Sequence, residues 1–258
     1  MKTSVFGLAV MLLLLSTLVL GGCAGGNQNI RKNSAARANT NLAGDYLRRG
    51  DLDKATKYFK KALKYDPHRV NALWGLAVTN NRKGDVQRAG NFYRRAMSVK
   101  QKPALVNSYA AFLCQHGNAS KAIPLFQKAA HDAHYNHPGV PLANAGLCLK
   151  QNGNKARAIQ FFKKALAKNQ NQPMALTQMA RIALNRGNNR RARNYMKRLE
   201  QHTHLNQKQL KLAARVALAT GNRDAALEYI SKYNNHTSKK SQLSIGKLRR
   251  HGRNQSAN

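Results

Sequence analysis

Small and large apolar residues recur along most of the chain in one frame, six times over. Each copy opens on a Gly followed by Asp or Asn: Gly50-Asp51, Gly84-Asp85, Gly117-Asn118, Gly153-Asn154, Gly187-Asn188 and Gly221-Asn222, at spacings of 34, 33, 36, 34 and 34 residues. Five residues after each Gly stands an alanine: Ala55, Ala89, Ala122, Ala158, Ala192 and Ala226. Nine after it stands a large residue: Phe59, Tyr93, Phe126, Phe162, Met196 or Ile230. Twelve after it come Ala62, Ala96, Ala129 and Ala165, then the larger Leu199 and Tyr233. Such offsets keep one face of a helix apolar. A period near 34 residues accommodates two antiparallel helices joined by a tight turn. The Gly ends the first helix where φ must be positive. The small Ala lets the two helices approach, and the large residue fills the gap between them. Pro67, Pro103 and Pro173 fall between units, where a helix stops and restarts, and Pro124 falls near the start of a second helix, where a proline costs least. The pattern predicts an all-α solenoid of about six helix-turn-helix units over residues 36–233.

The frame resembles the tetratricopeptide repeat, most closely in the first unit, where Tyr46, Ala55, Phe59, Ala62 and Pro67 are all in place. The last two units depart furthest, as terminal repeats that cap a stack often do. In arrays of this kind the first helices of successive units line a groove. Asn71, Trp74, Asn81, Asn107, Thr177 and Arg181 are the groove-facing candidates, with Asn and Arg suited to the backbone or carboxylates of an extended segment. Trp74 stands one place after Leu73, where the large inward residue of the repeat falls. It reads either as a groove anchor or as a side chain packed between helices.

The N-terminus carries a different signal. Lys2 precedes an apolar run from Val5 to Leu20, which ends at Leu20-Gly21-Gly22-Cys23. The run is shorter than the roughly 20 residues that span a bilayer, and its flanks are those of a secretory signal peptide. Leu-Gly-Gly-Cys resembles the lipobox of bacterial lipoproteins. The resemblance implies a signal peptide over residues 1–22, cleavage before an acylated Cys23, and, with Ala24 in the next position, sorting to the outer membrane. Residues 23–35 then read as an acylated flexible tether of Gly, Asn, Gln and Ser, and residues 234–258 as a basic tail. That tail is compatible with a capping helix around 241–250 or with a disordered end.

Composition narrows the functional classes. Forty-five Lys and Arg face nine Asp and Glu, giving a net charge of +36. Nucleic-acid binding ordinarily follows from such a balance, but export with a lipid anchor takes the chain away from nucleic acid, and none is expected as a partner. The cations cluster on outer faces, as with Lys54, Lys57, Lys60, Lys61 and Lys64 around Ala55 and Phe59. They read as a solvated surface, or as one attracted to anionic headgroups or an acidic partner. Only two Glu exist, Glu200 and Glu228, which leaves few candidates for general acid–base chemistry; no enzyme and no cofactor are expected. His131, His134 and His137 read as a polar helix end and not as a metal site, since a fourth ligand is wanting. Cys114 and Cys148 lie near the ends of the first helices of consecutive units, within reach of a disulfide in an oxidising compartment. The alternative is a pair of buried thiols.

Two segments sharpen the resemblance. Asn107–Gly117 (N-S-Y-A-A-F-L-C-Q-H-G) and Asn144–Cys148 (N-A-G-L-C) are similar to paired signatures of the type IV pilus biogenesis/stability family PilW, also called PilF. Gly221–Tyr229 resembles that family's last repeat. The resemblance implies an outer-membrane lipoprotein, or pilotin, that helps the secretin PilQ reach the membrane and multimerise. Ala110 stands where the family usually has Gly. A lipoprotein adaptor for peptidoglycan or other envelope complexes is the alternative expectation from the same groove.

Overall fold

The computed structural model describes residues 24–235 and 242–248. Twelve helices run in order through the first of these stretches: α1 (Ala24–Arg49), α2 (Leu52–Tyr65), α3 (Val70–Arg82), α4 (Val86–Val99), α5 (Pro103–Gln115), α6 (Ala119–His131), α7 (Gly139–Gln151), α8 (Lys155–Lys168), α9 (Pro173–Asn185), α10 (Asn189–His202), α11 (Gln207–Ala219) and α12 (Arg223–Asn234). They form six helix-turn-helix pairs, in agreement with the periodicity.

The Gly-Asx pair does two jobs at each turn. The six repeat glycines all have φ between 71° and 83°, the left-handed conformation that closes a helix at least cost in glycine. The following Asp or Asn is the N-cap of the next helix. Asp51, Asp85, Asn154, Asn188 and Asn222 each accept a bond from the backbone N–H three residues on, satisfying one of the orphan donors of the first turn. Asn118 makes no such side-chain bond at the head of α6. Pro124 lies inside α6, beyond its first turn.

The helices sort into two compact units, Met1–Leu105 and Val106–Asn258, with the boundary inside α5. In the first unit α1 packs on α2 and α3, and α3 on α4. Its core holds Ala43, Ala55, Phe59, Ala62, Ala72 and Leu76. In the second unit, Phe126 and Phe162 are the largest fully buried side chains, each contributing about 2–3 kcal/mol by leaving water. Further along, Leu176, Met196, Leu199 and Leu212 form the next cluster. Close approach is enforced at Gly146 of α7, where an added Cβ would stand 2.6 Å from the Phe162 ring of α8. Gly75 meets Phe59 in the same way in the first unit.

One segment differs from the sequence expectation, and a second takes one of the two forms expected of it. The expected tether is helical from Ala24, continuous with the repeat's first helix. No proline interrupts residues 24–49, and Ala36 and Ala43 are fully buried while Thr40 is nearly so. Arg69 Nη1 also donates to Asn33 Oδ1 at 2.7 Å. An anchored helix extends cheaply, one bond per residue fixed. Residues 1–22 and Cys23 lie outside the described residues, and so do 236–241 and 249–258 of the basic tail. Within that tail, 242–248 return to the fold. Asn234 clasps Leu243, accepting from its N–H at 2.8 Å and donating to its carbonyl at 3.1 Å. Leu243, Ile245 and Leu248 pack with Ala214 and Ile230, giving the last helix pair an apolar cover.

Candidate functional site: the first-helix face

In the second unit the first helices are α5, α7, α9 and α11. Each is buried on one side and leaves a half-buried residue about once per turn on the other: Asn144, Leu147 and Lys150 on α7, then Met174, Gln178 and Arg181 on α9. On α11 the same role falls to Lys211, Arg215 and Leu218. This is the helical period read in reverse: the fully buried positions fall on one side of each helix and leave the half-buried ones, polar and apolar, on the other.

A bridge joins each helix to the next. Between α5 and α7, Asn144 Nδ2 donates to Asn107 Oδ1 at 3.0 Å, and Cys114 is disulfide-bonded to Cys148 across a Cα separation of 5.8 Å. Between α7 and α9, Lys150 Nζ donates to Gln178 Oε1 at 2.8 Å. Between α9 and α11, Gln209 Nε2 donates to Thr177 Oγ1 at 3.0 Å.

The charges on this face are of one sign. Burial holds the Lys150 ammonium below its usual value, and the nearby Arg181 and Lys155 add to the effect. Arg215 is lowered by burial and then by Arg181. Arg181 thus sits between two other cations, and its Nε is buried without a hydrogen-bond partner. Lys150 and Arg215 are functional candidates that the sequence reading missed. A signal existed for one of them, because Arg181 and Arg215 both lie six residues before a repeat glycine.

The six groove candidates divide between the units. Asn71, Trp74 and Asn81 share one face of α3 by their spacing; Asn71 is exposed and accepts from Lys102 Nζ at 3.3 Å, while Trp74 and Asn81 are half-buried. Asn107 and Arg181 belong to the face just described. Thr177 is a correction: it is 8% exposed, its hydroxyl donates to the Pro173 carbonyl, and the same oxygen accepts from Gln209. Its hydrogen-bonding capacity is taken up inside the fold, so it is not available to a ligand.

The first unit is basic too, but differently. An open depression of 1020 Å³ is lined by Lys60, Lys83, Arg88, Phe92, Arg94 and Arg95, among others. Lys83 is paired with Asp53 and Arg88 with Asp85. All five carboxylates of that unit, Asp45, Asp51, Asp53, Asp66 and Asp85, are in ion pairs. At the polar end of α6, His131 Nδ1 lies 2.7 Å from the Gln127 carbonyl. Among the described residues, no group of three His, Cys, Asp or Glu is placed to hold a metal ion.

Six helix pairs, each turning at a positive-φ glycine, with bridges along the first helices of the second unit, define a tetratricopeptide-repeat scaffold. The tetratricopeptide repeat family matches residues 40–105 and again 141–171. The type IV pilus assembly protein PilF of Pseudomonas aeruginosa is 30% identical over 178 residues, 67% of this chain and 71% of that protein. A solved structure of Pseudomonas aeruginosa PilF matches with a TM-score of 0.71 at 26% identity, over 85% of this chain and 99% of that one. A crystal structure of PilW, a widely conserved type IV pilus biogenesis factor, matches with a TM-score of 0.66 at 28% identity, over 81% and 98%. The chain belongs to the PilF/PilW family of type IV pilus tetratricopeptide-repeat proteins.

Proposed function

We propose that this chain is a non-catalytic assembly factor of the type IV pilus machine, a pilotin that binds the secretin PilQ and promotes its outer-membrane localisation and multimerisation. The kinship with PilF and PilW carries this reading. The lipobox supports it from the sequence side: residues 1–22 act as a signal peptide, and acylated Cys23 anchors the mature chain on the periplasmic side of the outer membrane. Several acyl chains on one residue give firm attachment, at about 0.8 kcal/mol per buried methylene. The anchor confines scaffold and secretin to one surface, which raises the local concentration of subunits and favours ring formation. Tighter binding to the assembled form than to the monomer adds to this by mass action.

The test is an immunoblot for heat- and detergent-resistant secretin multimers in outer membranes from wild type, a deletion strain and Cys23→Ala. Loss on deletion with partial loss for Cys23→Ala is the expected result. Unchanged multimers in all three strains would discard the secretin mechanism in favour of an envelope adaptor.

A further inference from the structure

The first unit holds more cations than its carboxylates can pair. Every one of those carboxylates is already in an ion pair. Lys57, Lys60, Lys61 and Lys64 on α2, with Arg94 and Arg95 on α4, are all exposed and have no carboxylate partner among the described residues. Both are second helices, and they flank the open depression of 1020 Å³, whose wall includes Lys60, Arg94 and Arg95. Rings lie beside two of these cations. Lys57 Nζ stands 5.9 Å from the centre of the Tyr58 ring, and the Arg95 guanidinium 5.5 Å from that of Phe92.

Exposed apolar surface is spread unevenly as well. Among the described residues, the large apolar side chains left exposed are Ile30, Leu42, Tyr65, Val86 and Val99 in the first unit and Leu227 in the second. Tyr65 ends α2, while Val86 and Val99 begin and end α4. The same two helices therefore carry the unneutralised cations and the bare apolar groups. In the second unit α8 is basic too, with Lys163, Lys164 and Lys168 exposed, but Leu227 lies elsewhere, on α12 beside Glu228.

We propose that the second-helix side of the first unit, formed by α2 and α4, docks on an anionic phospholipid surface. A small anion would need donors converging on an enclosed site, whereas these cations are spread along two helices around an open depression. A bilayer presents phosphates over an area of that kind, and each Lys or Arg near it adds attraction that fades within a Debye length. Side chains whose stems lie along a ring can reach the phosphates while the ring stays at headgroup depth. Tyr65, Val86 and Val99 supply the apolar part of interfacial binding. The choice of a bilayer over another polyanion rests on the membrane placement proposed above. From Ala24, next to Cys23, to the buried Ala36 is only roughly 18 Å of helix, so the anchor holds this unit close to the lipid. One anchor point leaves the scaffold free to pivot, and the second contact sets which side faces the membrane.

The test places the full chain, purified in detergent, on vesicles of phosphatidylcholine with or without phosphatidylglycerol. A water-soluble acetylating reagent then reads lysine exposure by mass spectrometry. Lys57, Lys60, Lys61 and Lys64 are expected to react more than about threefold more slowly on the anionic vesicles, and to recover in molar salt. Lys121, Lys163, Lys164 and Lys168 are expected to change little. The triple Arg88→Gln, Arg94→Gln, Arg95→Gln leaves the α2 reporters in place and should abolish most of their protection. An equal charge change at Lys121→Gln, Lys163→Gln, Arg190→Gln should not, with circular dichroism checking that both variants fold. Equal protection in both units, or the same protection on neutral vesicles, would overturn the proposal. Soluble polyglutamate at matched charge that protects the α2 lysines better than the vesicles do would overturn it in favour of an acidic polypeptide. Intact mass reads acylation of Cys23 separately: an unacylated chain with the anionic-only pattern keeps the surface and loses the anchor, and an acylated chain without the pattern loses the surface.

Discussion

Gly146 and Lys150 lie one turn apart on α7 and are constrained in opposite ways. Gly146 is fixed by space, because its missing Cβ makes room for the Phe162 ring. Gly146→Ala is expected to cost about 1–3 kcal/mol through overpacking, read as a lower Tm. Lys150 is fixed by charge. Its folded proton affinity is lowered, first by burial and then by Arg181 and Lys155, so the unfolded chain holds that proton more tightly. The penalty is full at pH values below the folded value and fades as pH rises through it towards the ordinary 10.5. Lys150→Met is therefore expected to raise Tm at neutral pH in the absence of a ligand. The gain should shrink as pH approaches 10.5, which calorimetry at several pH values would follow. Legibility at this scale was uneven. Arg181 was visible in the sequence because the repeat frame places it on the groove side. Thr177, one turn earlier, shares that side by period alone, but Gln209 reaches over from the next helix and takes its hydroxyl. Lys150 has no counterpart at the same offset in neighbouring units, so only the folded arrangement brings it to Arg181.

Helix ends were better forecast than helix beginnings. Each repeat glycine was expected to stop a helix, and all six do so at positive φ. That the next residue starts its successor became apparent only from the cap bonds. The caps give a matched pair for measurement: Asn154→Ala removes a side-chain bond to the Arg157 N–H and is expected to cost about 1 kcal/mol. Asn118→Ala removes no cap bond and should cost less than half as much in denaturant titrations. The tail posed a different problem. Leu243, Ile245 and Leu248 are three apolar residues in a basic stretch, too few to show a helical period, although Leu248 ends up only 2% exposed. Deleting 242–258 should uncover Ile230 and Ala214, lower Tm, and speed amide exchange in α12 ahead of the other helices.

For the molecule as a whole, repeat number was readable from one sequence because each unit repeats the same packing problem, and the family from the resemblance carried by residues 107–117, 144–148 and 221–229. The sorting into two compact units was not, since the frame runs through α5 without a break in pattern. A charge of +36 implies self-repulsion in the folded state. Added salt is expected to raise Tm through the first few hundred millimolar, since the ion pairs it screens sit at the surface and contribute little. A falling Tm would show that those pairs outweigh the repulsion. Reducing Cys114–Cys148, 34 residues apart in sequence, should cost about 3–4 kcal/mol by the loop-entropy relation, visible as a dithiothreitol-dependent shift in unfolding. The same bond sets an order of events during biogenesis. A chain that emerges N-terminus first presents both sulfurs once residue 148 is out, with α8 to α12 still to come. Under the export proposed above, oxidation at that moment joins neighbouring repeats that make mostly local contacts and form early. The later helices then assemble on a platform already clamped, which shortens the interval in which the half-made stack exposes apolar edges to proteases.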